Sequence, residues 1–137
     1  MYILGIESSC DETAVAIVEN GQRIRANVIS SQIEKHAAYG GVVPELAARE
    51  HLQNIDPVIQ QAFTEAALEP EEIDGVAATH TPGLIPALLV GLSYAKGFAA
   101  SRGMPLLGAN HIVAHLYAAF MENPDSLSET KAFPVIG

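Results

Sequence analysis

The chain has 137 residues, 49% of them hydrophobic and 17% charged, a balance that fits one packed globular domain and excludes an unstructured polypeptide. Sixteen carboxylates against seven basic residues give a net charge of −9. Because Arg23, Arg25, Lys35, Arg49, Lys96, Arg102 and Lys131 are scattered without a run or stripe, the chain by itself is expected to bind RNA poorly, since phosphate backbones are held by clustered cations.

At the amino end no basic segment precedes the apolar run, and Glu7 follows it directly, so no signal peptide is predicted. Tyr2–Glu7 and Ala14–Val18 read as strands joined by a polar turn, and Asn20-Gly21 predicts a hairpin into a third strand over Gln22–Ser31. Cys10 is the lone cysteine, which excludes an internal disulfide and fits a reducing, cytoplasmic setting. Ser30–Tyr39 is polar and ambiguous before the Gly40-Gly41 punctuation. From Pro44, the three- and four-residue steps of Leu46, Ala47, His51, Ile55, Val58, Ile59 and Ala62 predict a helix to about Leu68, with a kink or break allowed near Asp56 by Pro57.

A charged connection, Glu69–Glu72, leads to a strand over Asp74–Thr81, a turn at Pro82-Gly83, and a helix from about Leu84 to Ser101 stopped by Gly103. Its apolar stretch is interrupted by Pro86, Gly91 and Lys96, short of the ~18–20 unbroken apolar residues of a membrane span, so a buried helix is expected and no membrane partner. Pro105–Ala109 reads as a strand, the next helix carries His111 and His115 and ends near Asn123-Pro124, and Ala132–Ile136 reads as a strand barely begun. The order β-β-β-α-β-α-β-α predicts an α/β fold, one mixed five-stranded sheet with helices on its faces. A polar stretch, Asn123–Lys131, followed by the start of a new strand reads as the front part of something longer.

Three segments carry candidate chemistry. His111 and His115 stand four residues apart, on one face of a helix, where two neutral imidazoles can grip one Zn²⁺ or Fe²⁺ ion; the same spacing also serves capping or packing. Zinc-protease helices of the H-E-x-x-H type place a Glu general base after the first histidine, and Ile112 stands there instead. Two histidines do not complete a four-coordinate site, so the pair predicts a metal with ligands from elsewhere. The turn Glu7-Ser8-Ser9-Cys10-Asp11-Glu12-Thr13 sets three carboxylates, hydroxyls and backbone amides between two strands. Taken alone it reads first as a solvated β-turn and second as a cradle for phosphate and a cation, for which the crowding of like charges is the argument. Thr79-His80-Thr81-Pro82-Gly83-Leu84 is a strand–turn–helix step that suits either an anion at a helix N-terminus or an ordinary N-cap by Thr81. Gly40-Gly41 with Glu45 is a loop entering a helix, Arg49 and His51 are solvated or packing residues, and His36 and His80 are taken as ordinary polar positions.

Four stretches, GIESSCDETAVAIV (Gly5–Val18), YGGVVPELAAREH (Tyr39–His51), PGLIPALLVGLSYAKG (Pro82–Gly97) and NHIVAHLYA (Asn110–Ala118), together resemble the TsaD/Kae/Qri family of tRNA threonylcarbamoyladenosine synthases, once described as O-sialoglycoprotein endopeptidases. The resemblance runs the length of the chain. It implies the actin/Hsp70-like (ASKHA, RNase H-like) ATPase fold of two lobes around a nucleotide cleft, with residues 1–137 as a single N-terminal lobe and the second lobe absent. It implies transfer of threonylcarbamoyl from threonylcarbamoyl-AMP to adenosine-37 of tRNAs that read ANN codons. It further implies one Fe or Zn ion held by His111, His115 and an aspartate of the other lobe, with ATP or AMP and Mg²⁺ in the complete cleft.

Catalytic roles then fall to Ser9, Asp11 and Glu12, substrate or nucleotide contacts to Ser8, Thr81, Pro82 and Gly83, and a loop near the cleft to Gly40, Gly41 and Glu45. Implied partners are TsaB-like and TsaE-like proteins, with tRNA only in the full complex. One departure is visible: the family has glycine where this chain has Thr81, whose side chain either crowds a close backbone approach or merely reflects lineage. The 137 residues alone are expected to be inactive. The rival readings are a non-catalytic lobe that forms a homodimer or binds a TsaB-like protein through exposed apolar helix surface, and, least favoured because of Ile112, a metalloendopeptidase.

Overall fold

The computed structural model describes residues 1–121; the expected end of the last helix near Asn123-Pro124 and the strand at Ala132–Ile136 lie outside the described residues. Strands β1 (Tyr2–Glu7), β2 (Glu12–Glu19) and β3 (Arg23–Ser31) form an antiparallel meander, with Asn20 and Gly21 both at positive φ in the β2–β3 turn, as the Asn-Gly pair predicts. Strands β4 (Gly75–Thr81) and β5 (Leu106–Asn110) add parallel to β1, giving the sheet order β3-β2-β1-β4-β5. The ambiguous stretch after β3 holds one short helix, α1 (Ile33–Ala37).

Helix α2 (Pro44–Ala66) runs through Pro57 without a break. The ring removes one backbone donor from the helix ladder, and Gln53 and Pro57, the two residues that bond would have joined, are both exposed, on the side of α2 away from the core. The opposite side of α2 buries Ala47, Ile55, Val58, Ile59, Ala62, Phe63 and Ala66. Helix α3 (Ile85–Arg102) starts with Pro86 in its first turn and stops at Gly103, whose φ is 63°. Its N-cap position is Leu84, not Thr81, and no side chain caps it. Both helices lie on one face of the sheet, over Leu4, Ile6, Val15, Ile17, Val28, Val76 and Ala78, and Phe63 stacks on Phe98 between them at 6.2 Å. Helix α4 (His111–Met121) follows β5 directly, with Asn110 Oδ1 accepting the Ile112 and Val113 amides at 3.0 and 3.1 Å.

Ser8 fastens the β1–β2 turn to α3 in an unusual way. Its hydroxyl donates to the Ala87 carbonyl (2.9 Å) and accepts from the Gly91 amide (3.1 Å), a pair of groups that would otherwise bond each other within the helix. A Cβ at Gly91 would stand 2.5 Å from Ser8 Oγ, so only glycine admits the hydroxyl. Gly→Ala within a helix ordinarily gains about 1 kcal/mol. Gly91→Ala is instead expected to lower stability by about 1–3 kcal/mol, measured by urea denaturation, and adding Ser8→Ala should recover part of that loss.

Candidate functional site

Strands β1, β4 and β5 run parallel and end together, so Glu7, Thr79 and Asn110-His111 gather at the carboxyl ends of adjacent strands, where open α/β sheets place their ligand sites. A bulge in β4, between Thr79 and Thr81, shifts the register by one residue and pairs Thr81 with Asn110. The extra residue, His80, shares its Nδ1 proton with the Ala109 carbonyl at 2.9 Å and lies over Gly108, where a Cβ would come within 3.1 Å of the ring. Bulges re-aim side chains beside functional sites, and this one sets the start of α4.

The turn between β1 and β2 is held from behind. The Ser9 carbonyl accepts the Leu84 amide at 2.8 Å, the Cys10 carbonyl accepts His51 Nε2–H at 3.1 Å, and the Asp11 carbonyl accepts the Gln32 amide at 2.9 Å. Three consecutive carbonyls thus reach three different elements. Gly83 lets the α3 entry press on Ser9, since a Cβ there would meet Ser9 at 2.7 Å. With the backbone so tied, Ser9, Cys10, Asp11 and Glu12 line an open depression of about 570 Å³ together with Glu7, Thr79, His111 and His115. Its floor is the sheet face opposite α2 and α3, where Gly5, Ala14, Ala16 and Ala77 leave room.

Glu7 is the hub of this end of the sheet. One carboxylate oxygen accepts the Ser9 amide, and the other accepts the Thr79 hydroxyl at 2.5 Å and faces His111 Nδ1 at 3.2 Å. Burial pushes its pKa up, but the hydrogen bonds from Ser9, Thr79 and His111 outweigh that and hold it below the ordinary glutamate value. His111 Nδ1 also lies 3.1 Å from Ser9 Oγ. On the far side of that ring, His111 Nε2 and His115 Nε2 are 3.1 Å apart. Two nitrogens each about 2.0–2.1 Å from one zinc ion lie roughly 3.3 Å apart at a tetrahedral angle, so the pair fits a shared metal. Among the described residues no group of three or more His, Cys, Asp or Glu side chains could hold a metal. Burial, Asp11 and the charges of Glu7 and Glu12 push the Cys10 thiol up, which keeps it protonated and a poor nucleophile.

Of the residues picked from the sequence, Ser9, Asp11, Glu12, His111 and His115 meet in this depression. Ser8 does not: it is 2% exposed and its hydroxyl is committed to α3, so its side chain is a strut and not a ligand contact. Thr81, Pro82 and Gly83 lie outside the lining, where Gly83 supports the turn from behind and the Thr81 side chain is exposed. Gly40 (φ 74°), Gly41 and Glu45 are likewise outside it, on the exposed loop and first turn of α2.

Sequence reading passed over Glu7 as the hub, Thr79, and a buried polar chain behind the turn. In that chain the Thr13 hydroxyl donates to His51 Nδ1 (2.7 Å), Gln32 Nε2 lies 3.4 Å from the same atom, His36 Nε2–H donates to Gln32 Oε1 (3.1 Å), and the Val43 amide donates to His36 Nδ1 (3.4 Å). His36 and His51 are 3% and 0% exposed, so His36 is a core residue and not an ordinary polar position, and of the two readings of His51 the packing one holds. The only hint in the sequence was the placing of His51 among the core positions of α2.

The fold and site define an α/β unit, one mixed five-stranded sheet with helices on its faces, whose carboxyl-end depression sets a histidine pair beside an acidic turn. The chain belongs to the TsaD family of tRNA N6-adenosine threonylcarbamoyltransferases, whose model matches residues 23–136. The tRNA N6-adenosine threonylcarbamoyltransferase of Pelobacter propionicus is 56% identical over 124 residues, covering 90% of this chain and 36% of that protein. Its counterpart in Protochlamydia amoebophila is 52% identical over 137 residues, all of this chain and 39% of that protein. The chain therefore spans well under half the length of the curated relatives it matches. Among solved structures, YeaZ from Pseudomonas aeruginosa superposes with a TM-score of 0.62 at 19% identity, covering 80% of this chain and 45% of that one, a likeness of fold. Among the described residues no helix is long and apolar enough to cross a membrane.

His51 makes the turn's anchoring sensitive to acid. Burial, partly offset by its bond to the Cys10 carbonyl, holds its pKa below the ordinary histidine value. The unfolded chain takes up this proton first, so the contribution is complete above pH ~6.5 and declines as the pH falls from there towards the folded value. Urea denaturation between pH 7.5 and 5 should show stability falling with acid, and His51→Gln should flatten that slope.

Proposed function

We propose that this chain is the N-terminal lobe of a metal-dependent transferase that moves threonylcarbamoyl from threonylcarbamoyl-AMP to the exocyclic amine of adenosine-37 in tRNAs reading ANN codons. The observation that carries the reading is the convergence of His111 Nε2 and His115 Nε2 to 3.1 Å over a depression whose other wall is the acidic turn. One Fe or Zn ion would be held by these two nitrogens and by an aspartate of the second lobe, and when bound it supplies Lewis-acid polarisation of the carbamoyl carbonyl. Asp11 or Glu12 orients the attacking amine and accepts its proton, while the buried Ser9 hydroxyl, 3.1 Å from His111 Nδ1, helps position the metal-binding imidazole. Three carboxylates around an anionic substrate demand cationic compensation, which the metal, and Mg²⁺ with the nucleotide, would provide. A cleft lined from one side only lacks the second lobe's nucleotide contacts, so these 137 residues alone are proposed to be inactive.

In the intact enzyme, Asp11→Asn is expected to slow transfer by about 10²–10⁴-fold if this carboxylate takes the proton. His111→Ala is expected to abolish metal binding and transfer together. Nucleoside analysis of tRNA incubated with threonylcarbamoyl-AMP reads the first, and metal analysis of the purified protein reads the second. Full transfer by either variant would remove that residue from the mechanism.

A partner surface is favoured by a separate observation. Leu52, Ile85 and Leu89 are 65%, 73% and 57% exposed on α2 and α3, and Leu52 and Leu89 line an apolar groove between those helices with Ile55, Val90 and Tyr94. Apolar patches of this kind mark association, and the proposed occupant is a TsaB-like protein, with TsaE-like protein and tRNA joining only in the full complex. Leu89→Asp should weaken that association by about tenfold or more in sedimentation velocity, and self-association of the wild type without partner would point to a homodimer instead.

A further inference from the structure

We propose that Glu7 is a positioning residue for His111: its carboxylate fixes the imidazole as the Nδ1–H tautomer, so that Nε2 presents a lone pair to the depression. The inference rests on the proposed metal site and adds to it a residue outside the ligand set. An ionised carboxylate only accepts hydrogen bonds. With Glu7 Oε2 at 3.2 Å and Ser9 Oγ at 3.1 Å, the proton on Nδ1 has two acceptors. An unprotonated Nδ1 would instead set a lone pair against the carboxylate. The opposite nitrogen is then free of its proton, which is the form a metal takes. Carboxylate–histidine–metal arrangements fix both tautomer and ring angle in this way.

Glu7 is itself pinned. The Ser9 amide bonds Oε1, and the Thr79 hydroxyl bonds Oε2 at 2.5 Å. Donors stand on both oxygens, so a glutamine cannot replace it: an amide offers oxygen to one side only and must turn N–H towards the other. Facing His111, that NH₂ would favour the Nε2–H tautomer. Thr79 acts one step further out, since its hydroxyl holds the carboxylate that holds the histidine.

The test uses the intact protein with ¹⁵N-labelled histidine. Ring nitrogen shifts of His111 in the metal-free protein give the tautomer, and titration with Co²⁺ and Zn²⁺ gives affinity. Glu7→Gln is expected to move His111 towards Nε2–H and to weaken metal binding by about 10–100-fold. Thr79→Val should show a smaller change in the same direction and Thr79→Ser almost none, so the series still decides should Glu7→Gln fail to fold. An unmoved tautomer overturns the proposal, even with weaker binding, because the carboxylate would then act by charge alone; a shifted tautomer with unchanged affinity overturns it as well. If the wild type binds neither ion, the metal reading fails by itself and the tautomer alone decides the role of Glu7.

Discussion

The structure of the site depends on how the β1–β2 turn is tied down. Three successive carbonyls, of Ser9, Cys10 and Asp11, accept hydrogen bonds from Leu84, His51 and Gln32, and Ser8 threads its hydroxyl into the α3 ladder. A free turn of this composition would sample many conformations at an entropic cost on binding. Anchored from behind by α2, α3 and the start of α1, it turns Ser8 and Thr13 inwards and presents Asp11 and Glu12 to the depression. Groups on loops are held in place when a rigid scaffold holds the loop, and here the scaffold consists of the Leu84 and Gln32 amides and the Ser8 and His51 side chains, which no substitution of the forward-facing side chains removes.

Charge decides what this turn can do. Glu7, Asp11 and Glu12 line one depression in a chain already carrying a net charge of −9. Glu7 is kept ionised by its bonds to Ser9, Thr79 and His111, and the same negative surroundings keep Cys10 a thiol, so the site suits cation binding and proton transfer and is unsuited to cysteine nucleophilic chemistry. Peptide hydrolysis of the zinc-protease type also finds no support, because the residue after His111 is Ile112, 54% exposed and apolar.

The two faces of the sheet divide the labour. One is filled by α2 and α3, whose apolar sides pack over Leu4, Ile6, Val15 and Ile17. The other carries glycine and alanine at Gly5, Ala14, Ala16 and Ala77 and, among the described residues, is bordered by α4 at one edge. Small residues on a sheet face leave volume for something other than the core, and here that volume lies directly before the histidine pair.

Local pattern alone was enough for most of the elements. The apolar run before the polar turn placed β1 at its observed limits, the Asn-Gly turn set the hairpin, three- and four-residue spacing set α2, and the Pro82-Gly83 turn and Gly103 set α3, each helix to within a residue or two, because each of these signals lies within one segment of chain. Spacing also put His111 and His115 on one helix face. Tertiary structure decided the rest. The partners of the site are far apart in sequence, with Glu7 and His111 separated by 104 residues and Ser8 and Gly91 by 83, and no periodicity reports which strand ends will meet. Ser8 thus turned out to be a strut, His36 and His51 core residues, Thr81 a bystander to the depression, and Glu7 the hub. The physical reason is that a hydrogen-bonding side chain has the same sequence signature whether it meets water, a ligand or a buried carbonyl. Only the packed arrangement determines which of these it meets.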